Sequence, residues 1–252
     1  MSLLAYLSDH RLFRYPVALD RDPELLNNSR GVDPQPLRAL TFAAPDDKPF
    51  ALDERGRLVE IGPLFGQWGS VLSCPPVAGD RVALAAGEGY VVYGGEDGRI
   101  RVVDRKKWAD RESRRDGTAI RAVDTPPTSS VAVSANGRWL AATGSDISHP
   151  RATRLWSLPD LKPAGEWESP RYTTVTLSPD GATVAATHYK ADEVALFEAK
   201  TGRQLGVTNL DGEKLTIVRF LPDGSELLAA GETGVVHRLN PRTGERLEPP
   251  KK

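Results

Sequence analysis

The chain has 252 residues, enough to bury one substantial core. Its 33 Lys and Arg against 34 Asp and Glu leave a net charge of −1, so no global field recruits nucleic acid or an anionic membrane. A single cysteine, Cys74, excludes an intramolecular disulfide framework and a cysteine-rich zinc site.

In chain order, the opening MSLLAYLSDHR has no basic leader, and no later run approaches the ~20 apolar residues of a membrane span, so a cytoplasmic protein is expected. Abundant Arg and Ala with scarce Lys point to a bacterial source. LLAYLSDHRLFRYPVAL (3–19) reads as a β-hairpin turning near Ser8–His10, and DRDPELLNN (20–28) as a turn or two of helix. LRALTFAAPDDKPFALDERGRLVEI (37–61) gives three strands, with a turn at Glu54–Gly56. RVALAAGEGYVVYGGEDGRIRVV (81–103) gives three more, the last two joined through Glu96-Asp97-Gly98.

The second half repeats itself. VAVSANGRWLAATGS (131–145), VTLSPDGATVAATHY (175–189) and VRFLPDGSELLAAGE (218–232) each place a four-residue turn ending in Gly between two strands. Gly137, Gly181 and Gly224 are 44 and 43 residues apart. Third strands follow at ATRLWSL (152–158), EVALFEA (193–199) and GVVHRLN (234–240), and weaker fourth segments come after turns such as KTGRQLG (200–206) and RTGERLE (242–248). Hairpin turns near residues 9, 55, 97, 148, 192 and 233 set one period, stretched once by an insertion.

A period in the low forties with four short strands per unit predicts an all-β fold, a β-propeller of four-stranded antiparallel blades. One such sheet cannot bury both faces alone, whereas stacked blades cover each other. About six repeats are expected in one domain over 1–252, at roughly 1–36, 37–68, 69–120, 121–168, 169–212 and 213–252, the first lacking a strand. Ala141, Ala142, Ala185, Ala186, Ala229 and Ala230 share one repeat position, where small side chains permit close packing. Three closures fit: a six-bladed ring with one irregular blade, part of a larger propeller, or a ring completed by another chain.

GGEDGRIRVVD, ATRLWSL and SPDGATVAATH resemble blades of the WD-repeat propeller family, with Trp156 at the family's Trp and Val103–Asp104 in place of its Trp–Asp pair. The resemblance covers most of 37–248. The Gly-His pair that opens many such repeats is missing, and with it the expected Asp–His–Ser/Thr–Trp tetrad. The resemblance implies a non-catalytic scaffold that docks a protein or peptide, or subunits of a larger complex, through its loop face, with no cofactor. The loops around 145–153, 169–174 and 188–193 would gather His149, Arg151, Arg171, Tyr172, His188, Tyr189 and Lys190 as a partner-binding surface. Tyr and Arg are the residue types that anchor interfaces.

Other chemistries are weaker on the page. His10, His149, His188 and His237 have no spacing that forces convergence on a metal. The Asp-Gly pairs are turn residues without the acidic ladder of a calcium loop. Ser130, Ser134, Ser178 and Cys74 lie in no nucleophile elbow. An enzyme of lactonase or quinoprotein type would need inward ligands that do not align. Residues 99–121 hold nine basic residues against four acids. There Arg105, Lys106, Lys107, Trp108, Arg114 and Arg115 form a secondary basic patch, read mainly as a solvated outer strand and loop, with an acidic partner or nucleic acid as the alternatives.

Overall fold

The computed structural model describes residues 2–6, 12–16, 24–25, 37–43, 48–53, 58–61, 68–72, 77, 82–110, 112–113, 117–144, 152–169, 174–187 and 192–248. The fold is an all-β propeller, and it separates into two compact units, Met1–Val77 and Ala78–Lys252.

In the first unit, β1 (Ser2–Tyr6) and β2 (Leu12–Pro16) form the expected hairpin, in register from Ser2↔Pro16 to Tyr6↔Leu12. The short stretch read as helical instead supplies β3 (Glu24–Leu25), which pairs with Arg14 and Phe13 of β2. Pairing to an existing edge satisfies the backbone of two residues, whereas a helical nucleus must fix several before its first bond. β4 (Leu37–Ala43), β5 (Lys48–Asp53), β6 (Leu58–Ile61) and β7 (Trp68–Leu72) make a four-stranded meander. Phe50, Ala51 and Leu52 of its second strand are buried, as are Leu58 and Val59 beside them.

The second unit is four consecutive sheets: β8 (Val82–Gly87), β9 (Tyr90–Gly95), β10 (Arg99–Asp104) and β11 (Ile120–Asp124); β12 (Thr128–Val133), β13 (Trp139–Gly144), β14 (Ala152–Ser157) and β15 (Lys162–Glu168); β16 (Thr174–Leu177), β17 (Thr183–Thr187), β18 (Glu193–Glu198) and β19 (Gln204–Asn209); then β20 (Leu215–Phe220), β21 (Leu227–Gly231) and β22 (Val236–Leu239). A five-residue helix, α1 (Arg105–Ala109), interrupts the connection between β10 and β11. The blades number five, not about six. Among the described residues, the N-terminal segment that matched a hairpin makes a three-stranded sheet whose third strand has two residues.

Burial explains the sequence pattern. Second and third strands such as β9, β17 and β18 are buried on both faces, so they read as nearly continuous apolar runs. The fourth strands β11, β15 and β19 face water and alternate with polar residues. Within the second unit, the first strand of each later blade lies along the first two strands of the blade before it: β12 on β8 and β9, β16 on β12 and β13, β20 on β16 and β17. Each junction has its own core. Val92, Ile100 and Val102 meet Leu140 and Trp156; Ala141 and Leu155 meet Val184 and Phe197; Val194 and Leu196 meet Val218 and Leu227. Register puts Trp156 opposite Leu140 and Phe197 opposite Val184, so the two aromatics hold one repeat position. A β-bulge in the following ladder accompanies both.

The turns between first and second strands splint one blade to the next. Ser134 donates through Oγ to Asn136 Oδ1 (2.7 Å) and accepts from the Trp139 amide (3.0 Å); Ser178 repeats this with Asp180 (2.6 Å) and Thr183 (2.9 Å). The Ser178 hydroxyl and the Ala182 amide hold the Asp180 carboxyl below its ordinary pKa. Across the junctions, Glu88 N donates to Ala135 O, Asn136 N to Pro179 O, and Asn136 Nδ2 to Asp180 O (3.0 Å). Gly137 has φ +64°, and a Cβ there would sit 2.1 Å from Glu88 O, so only glycine fits both the turn and the splint. At Gly181 a Cβ would sit 2.2 Å from the Trp139 ring.

Candidate functional site

In each meander the connections from second to third strand leave at the same end as those leading into the next first strand. This is the end at which the partner-binding loops were expected. His149, Arg151, Arg171, Tyr172, His188, Tyr189 and Lys190 all lie outside the described residues, as do Arg114 and Arg115 of the basic patch. The stems of their loops are described.

Thr153 Oγ1 and Ser169 Oγ share a hydrogen bond of 2.8 Å, with both residues 1% exposed. Thr153 lies two residues beyond Arg151, and Ser169 two residues before Arg171, so this buried bond fixes the bases of two loops side by side. Val175, just past the second loop, donates its amide to Ser130 Oγ of the preceding blade (3.1 Å). The third loop starts after Thr187, whose Oγ1 donates to Glu193 O at the far side (3.0 Å). Asp192 then accepts from Gly212 N (2.9 Å) and Asn209 Nδ2 (3.3 Å).

The same end holds two polar struts that sequence reasoning missed. Arg101, 5% exposed, donates through Nη2 to Asp97 Oδ2 at 2.6 Å, and its guanidinium lies 5.6 Å from the centroid of the Tyr93 ring. Glu213, 5% exposed, accepts from the Thr233 amide (3.1 Å) and from Thr233 Oγ1. Those two bonds hold the Glu213 carboxyl below its ordinary pKa of 4.5, with a smaller contribution from His237. A Cβ on Gly231 would come within 2.4 Å of Glu213 Oε1, so glycine keeps the space the carboxylate occupies. The strut ties the stretch before β20 to the loop before β22. A charged residue just before an inner strand, in DGEKLT, was the available signal.

The sign of the Glu213 effect sets a test. A folded-state pKa below the unfolded value gives stability that is complete above about pH 4.5 and lost as pH falls through the folded value. Glu213→Gln is expected to be less stable than the parent near neutral pH, with the gap narrowing as pH falls below the ordinary carboxyl value of 4.5. Urea midpoints measured from neutral pH down into the acid range test this, and a gap independent of pH contradicts the strut.

The basic patch divides. Asp104 caps α1, accepting from Lys106 N (2.9 Å) and Lys107 N (3.1 Å). Lys106 and Lys107 are exposed and Arg105 half-buried, but Trp108 is 3% exposed. The expectation of an exposed aromatic in a solvated loop is corrected here: the helix turns the indole inward, and no base can stack on it. Lys107, Tyr90 and Arg121 border a crevice of about 10 Å³, room for one water. Arg121 closes it by donating to Pro159 O (2.8 Å), and burial, helped by Asp104, raises the Tyr90 hydroxyl pKa.

Ser130, Ser134 and Ser178 are engaged in backbone and turn hydrogen bonds. His237 is half-buried on β22, and among the described residues its Nε2 has no hydrogen-bond partner. His10, His149, His188 and Cys74 lie outside the described residues. Among the described residues no three His, Cys, Asp or Glu converge to hold a metal, and no helix is long and apolar enough to cross a membrane. No protein-family model matches the chain, and no curated protein matches it significantly.

Proposed function

We propose that the protein is a non-catalytic, WD-repeat-type scaffold of the bacterial cytoplasm, docking a protein or peptide partner on the loops that carry His149, Arg151, Arg171, Tyr172, His188, Tyr189 and Lys190. The supporting observation is the buried Thr153–Ser169 hydrogen bond, which fixes the stems of the Arg151 and Arg171–Tyr172 loops together. Loops on stems held in place lose less conformational entropy when a partner binds. Arg and Tyr are the side chains that give interfaces their strongest contacts. The nucleic-acid alternative loses its aromatic, because Trp108 is buried.

The test is quantitative co-purification with the full-length tagged chain from its native host, comparing the parent with Arg151→Ala and Tyr172→Ala. Each substitution is expected to cost a specific partner roughly ten-fold in affinity, with unchanged thermal unfolding. A partner retained at full affinity by both variants refutes the loop-face reading.

A further inference from the structure

Residues directly opposed in an antiparallel sheet share a face, so each blade of the second unit carries a side-chain row across its first three strands. In the first blade the row is Ala85↔Val92↔Val102. In the next two it is Ala132↔Ala141↔Leu155 and Thr176↔Ala185↔Leu196. Each row turns toward the blade that follows. Val92 and Val102 meet Leu140, Ala141 and Leu155 meet Val184, and Ala185 and Leu196 meet Leu227. None of the residues in these three rows is more than 4% exposed.

In the last blade the same register gives Arg219↔Leu228↔Arg238. A second row on that face, Ile217↔Ala230↔Val236, has Ile217 47% and Val236 58% exposed. Arg238 donates through Nε and Nη2 to the Glu226 carboxylate. Arg219 is exposed and, among the described residues, has neither a hydrogen-bond nor an ionic partner. Among the described residues no strand follows β22 in the chain.

The change from Ala or Thr to Arg alters what can lie on this face. A guanidinium keeps its charge at every ordinary pH and carries five N–H donors. A covering apolar sheet face offers it no acceptor, and stranding it costs more than covering Ile217, Leu228 and Val236 returns. Partial desolvation already pushes the Arg219 pKa down, so each further water removed works against the charged form. Two copies pressed together on this face by a two-fold axis also place both Arg219 charges in one interface.

We propose that Arg219, with the Arg238–Glu226 pair, guards this face against stacking on the same face of a second copy. Terminal repeats of stacked architectures need a polar outer face, because the surface that joins internal repeats would otherwise join chains. The face bears none of the loop residues proposed to bind a partner, so Arg151→Ala and Tyr172→Ala leave it intact and the two readings fail independently.

The test restores the row of the preceding blade in the full chain, with Arg219→Thr, Glu226→Thr and Arg238→Leu together. Size exclusion with light scattering, over a range of loading concentrations, reads the mass. The parent and Arg219→Lys, which keeps the charge, are expected at the mass of one chain. The triple variant is expected to rise with concentration to twice that mass or more. A triple variant that unfolds cooperatively yet stays at the mass of one chain overturns the proposal. Association of the parent or of Arg219→Lys overturns it as well, since the charge then guards nothing. If the triple variant does not unfold cooperatively, Arg219→Thr alone is judged by the same outcomes.

Discussion

Trp156→Ala is expected to destabilise the second unit by about 3–5 kcal/mol, the range for truncating a fully packed aromatic. Trp156 is 4% exposed and sits in the junction between the first two blades of that unit, among Ile100, Val102 and Leu140. Its removal takes away apolar area and leaves a cavity bounded by two sheets whose backbones are pinned by ladders and by the turn splints, so the space cannot collapse. Val207→Ala is the control. Val207 is 44% exposed on an outermost strand, and its truncation should change stability by about 0.5 kcal/mol or less. Urea unfolding measures both. A loss below about 1 kcal/mol for Trp156→Ala means that the junction does not depend on this side chain.

Arg101→Ala is the second large effect, expected at about 3–5 kcal/mol, because it strands the Asp97 carboxylate, which is 14% exposed, without its cation. The pair itself is not expected to be worth that much, since both ions give up water to meet. Arg101→Met with Asp97→Asn removes both charges and should recover most of the loss. A double-mutant cycle in urea separates the two cases. If Arg101→Ala costs no more than the double variant, Asp97 is adequately hydrated alone and the strut idea fails.

The period was legible because it depends on residues with few substitutes. Gly137 and Gly181 combine positive φ with neighbours that leave no room for a side chain, and Ala141, Ala142, Ala185 and Ala186 are all buried where sheets approach closely. The glycine turn at Glu96-Asp97-Gly98 likewise marked the hairpin of β9 and β10. The blade count was less legible, because alternation in LLAYLSDHRLFRYPVAL reports a hairpin and carries no information about a fourth strand. Helix α1 escaped notice because five residues cannot display a 3.6-residue period, and Trp108 among Lys and Asp looks like a surface aromatic. Glu213 escaped for a related reason. Its burial depends on Thr233, twenty residues downstream, which no local pattern encodes. As for the candidate site, the sequence pointed to a rim of Arg and Tyr loops, but the buried Thr153–Ser169 bond beneath them joins two unremarkable hydroxyls.

The place of α1 also has a bearing on how such a chain can diversify. The helix and the residues after it are spliced between Asp104 and Ile120, yet β10 and β11 keep an unbroken register from Arg99↔Asp124 to Val103↔Ile120. Lengthening that connection therefore leaves every ladder intact and costs mainly the entropy of a longer loop, about 0.6 kcal/mol for each doubling. The junction at Asp104 works as a port where new segments can be tried while the surrounding sheets go on folding as before.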